Sequence, residues 1–190
     1  ASIQVMPATY RADHVGSLLR PPELLQARKD HANGKLGLQE LRSLEDQAIR
    51  AAFQLQQQAG LRIFSDGEFR RGSWLTNMAE AVEGFVPERL DYVWHGPGAE
   101  SADTTSNVVG AKLRQKRPLI AYEASFMREN APGAFKITMP TPSVFMASSF
   151  KRGLTDRFYP TRADLMDELV AIVRKEIQQQ IDQGVTYVQL

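Results

Sequence analysis

The sequence predicts an α/β fold: the N-terminal half of a (β/α)8 TIM barrel, about four βα units, with a β-rich excursion after the second strand. Three observations carry that prediction. Short apolar runs alternate with helical periodicities, the pattern of a parallel sheet covered by helices. Glycine-containing polar strings stand directly after the apolar runs, where parallel α/β folds place their sites. The last run, residues 185–190, reads as a core strand with no helix after it, which points to half of an eight-stranded barrel.

The elements follow in order. Residues 10–17 read as a short strand running into a functional loop that closes at Arg20-Pro21-Pro22. Proline suits the first turn of a helix and not its interior, so a helix starts at Pro22-Glu23-Leu24-Leu25, and Asn33-Gly34 stops it. From Leu38, the residues Leu41, Leu44, Ala48, Ile49, Ala52, Phe53 and Leu55 keep helical spacing until Gly60. Residues 61–64 are a brief apolar strand leading into Ser65-Asp66-Gly67-Glu68.

Residues 84–118 read as an irregular, hairpin-like insertion. Phe85-Val86, Tyr92-Val93-Trp94 and Val108-Val109 are its β pieces, separated by turn residues; a surface loop fits the same composition. Residues 135–139 form a strand closed by Pro140-Thr141-Pro142, and residues 143–150 a short helix. The last helix spans 162–183, with Leu165, Met166, Leu169, Val170, Val173, Ile177 and Ile181 on one face. Thr161 and Asp164 form its capping box, and Gly184 ends it. The whole chain, residues 1–190, reads as one partial domain.

Composition narrows the function. The chain has 190 residues, 43% hydrophobic, enough for a buried core. A formal net charge of +1 gives no strong field for nucleic acid or an anionic membrane and favours a small-molecule partner. Cysteine is absent, which removes disulfides, thiolate catalysis and cysteine metal sites from this stretch. No apolar run reaches the roughly 18 residues of a membrane span. Ala1-Ser2-Ile3-Gln4-Val5-Met6 lacks the pattern of a secretory signal, so a soluble, cytoplasmic protein is expected.

Four strand ends can carry chemistry: His14-Val15-Gly16-Ser17, Asp66-Gly67-Glu68, Met139-Pro140-Thr141-Pro142 and the chain after Gln189-Leu190. Gly16 permits close approach of a ligand to the backbone, and Ser17 offers an N–H and a hydroxyl to a carboxylate. Glu68 can hold a cationic amine, and Arg70 or Arg71 can neutralise a carboxylate or position Glu68. Together these groups would grip the zwitterionic end of an amino acid; plain turn formation is the competing explanation.

His14, at a strand end, is the candidate for hydrogen bonding to substrate or proton transfer. His31 reads as a solvated residue at a helix end, and His95 as a loop residue. These separated histidines make no zinc site. Phe69, Trp74 and Phe85 can line a pocket mouth, although core packing suits most aromatics. Lys112, Arg114, Lys116 and Arg117 form a basic strip that faces solvent or attracts a polyanionic substrate tail. Neither a glycine-rich phosphate loop nor a Ser-His-Asp order is present.

Several of these strings resemble one family. Arg11-Ala12-Asp13-His14-Val15-Gly16-Ser17-Leu18-Leu19-Arg20-Pro21 and Phe64-Ser65-Asp66-Gly67-Glu68-Phe69-Arg70-Arg71 are similar to segments of the catalytic barrel of cobalamin-independent methionine synthase. Lys136-Ile137-Thr138-Met139-Pro140-Thr141-Pro142-Ser143 resembles its third-strand segment, and residues 184–190 the strand leading to an Asp-Glu-Pro motif.

The resemblance implies a zinc enzyme, without cobalamin, that moves a methyl group from a methylated folate to the thiol of homocysteine. It implies that Val15, Gly16, Ser17 and Glu68 hold the amino acid moiety; Asp66 and Arg71, from the residues themselves, are expected to bind substrate with them. It places the zinc ligands and the Asp-Glu-Pro aspartate outside this chain. No tryptophan stands within residues 144–149, where the family's folate-stacking tryptophan falls. A related branch alkylates other thiols, so donor and acceptor stay open.

Two other functions fit the residues. One is a non-catalytic half-barrel that self-associates through its exposed final strand, an open pairing edge. The other is a barrel lyase of the uroporphyrinogen decarboxylase type, with Arg20, Arg70 and Arg71 gripping carboxylates.

Overall fold

Proline and glycine punctuation sets the helix boundaries. In the computed structural model, which describes residues 14–72, 76–89 and 105–190, helix α1 (Pro22–Ala32) begins on its proline and is capped by Asn33. Helix α2 (Leu38–Gln58) follows, then α3 (Thr76–Ala81), β1 (Val82–Arg89), β2 (Thr105–Gln115) and α4 (Ala121–Asn130). Strand β3 (Ile137–Thr138), α5 (Pro142–Ser149), a 3-10 turn (Thr155–Arg157), α6 (Arg162–Asp182) and β4 (Val188–Gln189) complete the order. The Thr161–Asp164 capping box is formed in both directions.

Four short extended segments pair in parallel and in chain order. Ser17 bridges Gly67, Phe64 bridges Phe135, and β3 pairs with β4 through Ile137–Val188 and Thr138–Gln189. Each neighbour is reached through intervening helices, so this is an α/β half-barrel, as predicted, and not a sheet whose order reverses. The pairing is more economical than the periodicity suggests. Residues 61–64 contribute a single bridge at Phe64, and the strands of 135–139 and 185–190 shorten to two residues each. The part of the first predicted strand before His14 lies outside the described residues.

The core lies between this sheet and α2, α4 and α6. Ile49 and Phe53 of α2 are buried, and Phe53 meets Phe64 edge-on at 6.2 Å. Helix α6 buries Leu165, Leu169, Ile172 and Val173, whereas Ile181 is exposed. Its inner face continues instead through the polar residues Glu176 and Gln180. Glu176 accepts hydrogen bonds from the backbone N–H groups of Leu119 (3.0 Å) and Ile120 (3.3 Å) and from Gln115 and Gln180. A carboxylate with no cation partner among the described residues is thus satisfied by four donors.

The excursion is an antiparallel hairpin, longer than its isolated β pieces suggest. Val86 pairs with Val108 and Phe85 with Val109, and the register shifts beside Gly84. Gly84 has φ 105°, and a Cβ there would lie 2.8 Å from the Lys112 carbonyl oxygen, so glycine is required. Tyr92-Val93-Trp94 lies outside the described residues.

Helices α3 and α4 are absent from the sequence-based order. His31 departs from its solvated expectation: half-buried, its Nδ1 lies 2.8 Å from the Leu36 carbonyl oxygen and ties α1 to the following loop. No helix among the described residues is long and apolar enough to cross a membrane.

Candidate functional site

The C-terminal ends of the four parallel segments surround a half-open cleft of about 680 Å3. Val15, Ser17 and Arg20 line it from the first segment and Glu68 and Arg71 from the second. Thr138, Met139, Pro140 and Thr141 come from the third, and Gln189 and Leu190 from the fourth. This is the face on which barrel enzymes carry their sites.

Glu68 is placed by a built turn. Gly67 (φ 67°) and Glu68 (φ 58°) are successive left-handed residues, and Glu68 is the one non-glycine with positive φ among the described residues. Asp66 Oδ1 accepts from the Glu68 N–H at 2.9 Å. Ser65 Oγ donates to the Gly16 carbonyl at 2.7 Å, and Gln56 clamps the Ser65 backbone from both sides. The strain of a left-handed Glu is therefore held by a network beneath it.

At the cleft wall, Glu68 Oε1 accepts from Thr138 Oγ1 at 2.8 Å and lies 3.7 Å from Arg71 Nη1. Among the described residues, no hydrogen bond or ion pair is made to Glu68 Oε2. Arg71 also donates to the Thr138 carbonyl at 2.7 Å and has Glu123 Oε1 at 4.0 Å on its other side. Burial pushes the Glu123 carboxyl above the usual carboxylate range; Arg71 opposes that shift and the like charge of Asp66 adds to it. Arg20 braces the turn from outside, its Nη2 donating to the carbonyls of Glu68 (2.8 Å) and Arg71 (3.0 Å).

The structure sorts the sequence candidates. Val15, Ser17, Glu68 and Arg71 line the cleft. Gly16 lies buried behind it, where a Cβ would meet Thr138 Cγ2 at 2.7 Å. This close approach is to Thr138 of the third strand. Asp66 is buried, and His14 is half-buried with its Nε2 3.2 Å from Ser65 Oγ.

Arg70 departs furthest from expectation. It turns away from the cleft to pair with Glu45 (3.3 Å) and Asp46 (2.5 Å), its guanidinium 4.4 Å from the Tyr122 ring centroid. Of the three arginines suggested for carboxylates, only Arg20 and Arg71 reach the cleft. Phe69 and Phe85 pack in the core. The basic strip is engaged locally: Arg114 and Lys116 pair with Glu83, Arg117 pairs with Glu80, and Lys112 lies over the Tyr159 ring. Trp74 and His95 lie outside the described residues.

Thr138 and Gln189 are the site residues sequence reasoning missed. Strand alternation was the available signal, since Lys136 and Thr138 share a face opposite Ile137 and Met139. Lys136 Nζ donates to Gln189 Oε1 at 2.9 Å and to the His14 carbonyl, so one buried lysine ties three segments.

The zinc implied by the resemblance does not fit the residues in hand. The chain has no cysteine, and no group of three His, Asp or Glu side chains among the described residues could hold a metal. No chemical step is assigned to zinc below.

Residues 10–190 match the family model of the cobalamin-independent synthase catalytic domain. The uncharacterized protein YxjH of Bacillus subtilis is 30% identical over 192 residues, an alignment covering 96% of this chain and 48% of that protein. Methionine synthase of Saccharolobus solfataricus is 25% identical, over 100% of this chain and 53% of that protein. A solved structure, the putative vitamin-B12 independent methionine synthase of Listeria monocytogenes, superposes with TM-score 0.72 at 25% identity, covering 95% of this chain and 51% of that one. The chain thus spans about half the length of the curated relatives it matches.

Proposed function

Since the chain belongs to the cobalamin-independent synthase catalytic-domain family, we propose that it furnishes the substrate-gripping part of a methyltransferase site. The acceptor is the thiol of homocysteine or a similar amino acid, and the donor a methylated folate or similar methylamine. The acceptor sulfur forms the new S–C bond as the donor N–C bond breaks, and the thiol proton ends on the donor nitrogen. This chain's part is to bind and orient the acceptor, which converts an encounter into a positioned displacement.

One observation supports the reading: Glu68 lines the cleft and is held through Oε1 by Thr138 and Arg71, with no hydrogen bond to Oε2 among the described residues. A carboxylate so fixed accepts a charge-assisted hydrogen bond from a substrate ammonium at little ordering cost. Ser17 stands on the neighbouring segment, bridged to Gly67, and lines the same cleft. Asp66 and Gly16 act from behind by shaping the turn and the strand contact. His14 is given the same supporting role through Ser65.

Calorimetric titration with L-homocysteine tests the reading. Glu68→Gln keeps the size and removes the charge, and a loss of about 1.5–3 kcal/mol is expected. Equal affinity in the two proteins overturns the role of Glu68.

A further inference from the structure

We propose that Glu123 is a positioning residue of the cleft: it acts through Arg71 and gives up its proton when an amine pairs with Glu68. The inference rests on the amine-gripping role given to Glu68 above.

One cation serves two buried carboxyls. Arg71 Nη1 lies 3.7 Å from Glu68 Oε1 and Arg71 Nε 4.0 Å from Glu123 Oε1, and all three residues are buried. Thr138 holds the guanidinium in that place by accepting from both Nη groups. Nε is buried and makes no hydrogen bond among the described residues, so the side that faces Glu123 is unsatisfied. A single positive charge away from water cannot neutralise both carboxylates. Burial pushes Glu123 toward its neutral form; Asp66 adds to the push, and Arg71 and Arg70 oppose it.

The two acids line different cavities. Glu68 and Arg71 line the cleft, whereas Glu123 lines a second, smaller pocket of about 170 Å3 with Arg42, Arg70, Glu80, Arg117 and Tyr122. The Arg71–Glu123 pair therefore bridges the two, and a proton that leaves Glu123 has an exit that does not pass the ligand. The arginines on the outer side are paired there: Arg42 and Arg70 with Glu45, Arg70 also with Asp46, and Arg117 with Glu80. None of these residues lines the cleft, so Arg71 is the cation whose balance a ligand in the cleft can change.

The linkage follows from charge. An ammonium at Glu68 takes over the neutralisation of that carboxylate and leaves the attraction of Arg71 to Glu123. The ionised form of Glu123 is then favoured, and its proton departs through the outer pocket to water. Closing the 4.0 Å gap gives the Arg71 Nε the hydrogen bond it lacks. By reciprocity, ionised Glu123 strengthens the amine site, and affinity climbs as the pH rises through its folded-state value.

The test is calorimetry with L-methionine, which has no thiol proton to lose, from about pH 5 to 8. Heats measured in two buffers of different ionisation enthalpy count the protons released. The proteins are the unaltered chain, Glu123→Gln and Glu68→Gln, with thermal melts to confirm folding. Glu123→Gln stands in for the protonated form and subtracts the titration of the ligand, Glu68 and His14. The unaltered chain should release more protons than Glu123→Gln and should gain about 5- to 10-fold more affinity across the range. At the low end the two should bind alike. A merely structural role would instead weaken binding equally at every pH.

The same proton release and the same pH profile in both proteins overturn the proposal; the Glu68 reading then stands as long as Glu68→Gln weakens binding. If Glu123→Gln does not fold, Glu123→Leu takes its place, because it too lacks the titrating group, and the same comparison decides. Methionine affinity unchanged by Glu68→Gln, or no binding by the unaltered chain, removes the Glu68 reading and this inference with it.

Discussion

Arg71 Nη1 stands 3.7 Å from Glu68 Oε1, and the two side chains are only 2% and 8% exposed. A buried pair of this kind adds little net stability, yet removing one partner leaves an unpaired charge and costs several kcal/mol. Its value here is orientation: the arginine and Thr138 together hold Glu68 by its Oε1.

Thr138 is the most direct probe of that arrangement. Its hydroxyl donates to Glu68 and accepts from Arg71, and Thr138→Val removes both bonds at nearly constant shape. Chemical denaturation should show a loss of about 1–3 kcal/mol, and homocysteine titration a weaker amino acid site. Combined with Glu68→Gln, the binding losses should be smaller than their sum, because both changes act on one carboxylate.

The left-handed backbone at Glu68 makes a second prediction. Glu68→Ala and Glu68→Gly both delete the carboxylate, but alanine keeps a Cβ at φ 58° and glycine does not. The glycine variant should therefore be the more stable by about 1 kcal/mol in urea denaturation, with both defective in amino acid binding. Equal stability would mean that the network beneath the turn absorbs the strain entirely.

Particular residues show how far local sequence reaches. The Pro22 start of α1, the Thr161–Asp164 box and the order of parallel segments were legible because punctuation and periodicity are local signals. Helix α4 was not, since Glu123 and Arg128 interrupt its apolar residues and it is held by distant side chains, Arg50 of α2 and Arg70, over its Phe126 ring. At the site, Ser17 and Glu68 were legible through the strand-end rule. Arg70 and Arg71 were indistinguishable in sequence, yet adjacent residues of one turn point to opposite sides. Which one reaches the cleft is decided by Glu45 and Asp46 on α2 and by Thr138 on β3. Strand alternation could put Thr138 on the face it shares with Lys136, but its partners Glu68 and Arg71 lie about 70 residues away, and no local pattern encodes that pairing.

Glu176 carries a prediction about the segment that joins the excursion to α4. It accepts the backbone N–H groups of Leu119 and Ile120 just ahead of α4, linking that segment to α6. Glu176→Ala strands those buried donors, and a loss of about 2–5 kcal/mol is expected in denaturation. Hydrogen exchange should speed up at Leu119 and Ile120 beyond the change at α1. Glu176→Gln keeps one acceptor oxygen and should lose less.

Glu123 predicts how stability depends on pH. Burial is the main cause that raises its carboxyl above the ordinary value of 4.5; Asp66 adds to the rise, and Arg71 and Arg70 oppose it. A raised folded-state value means that the native protein holds the proton more tightly than the unfolded chain does. The resulting contribution is fully present below about pH 4.5 and is lost as the pH climbs through the higher folded-state value. Glu123→Gln, which cannot titrate, should remove that loss, so its stability relative to the unaltered chain should improve as pH rises from 4.5 toward neutral. Urea denaturation across that range measures the difference. A constant offset between the two proteins would show that Glu123 titrates alike in both states, with the Arg71 attraction cancelling the cost of burial.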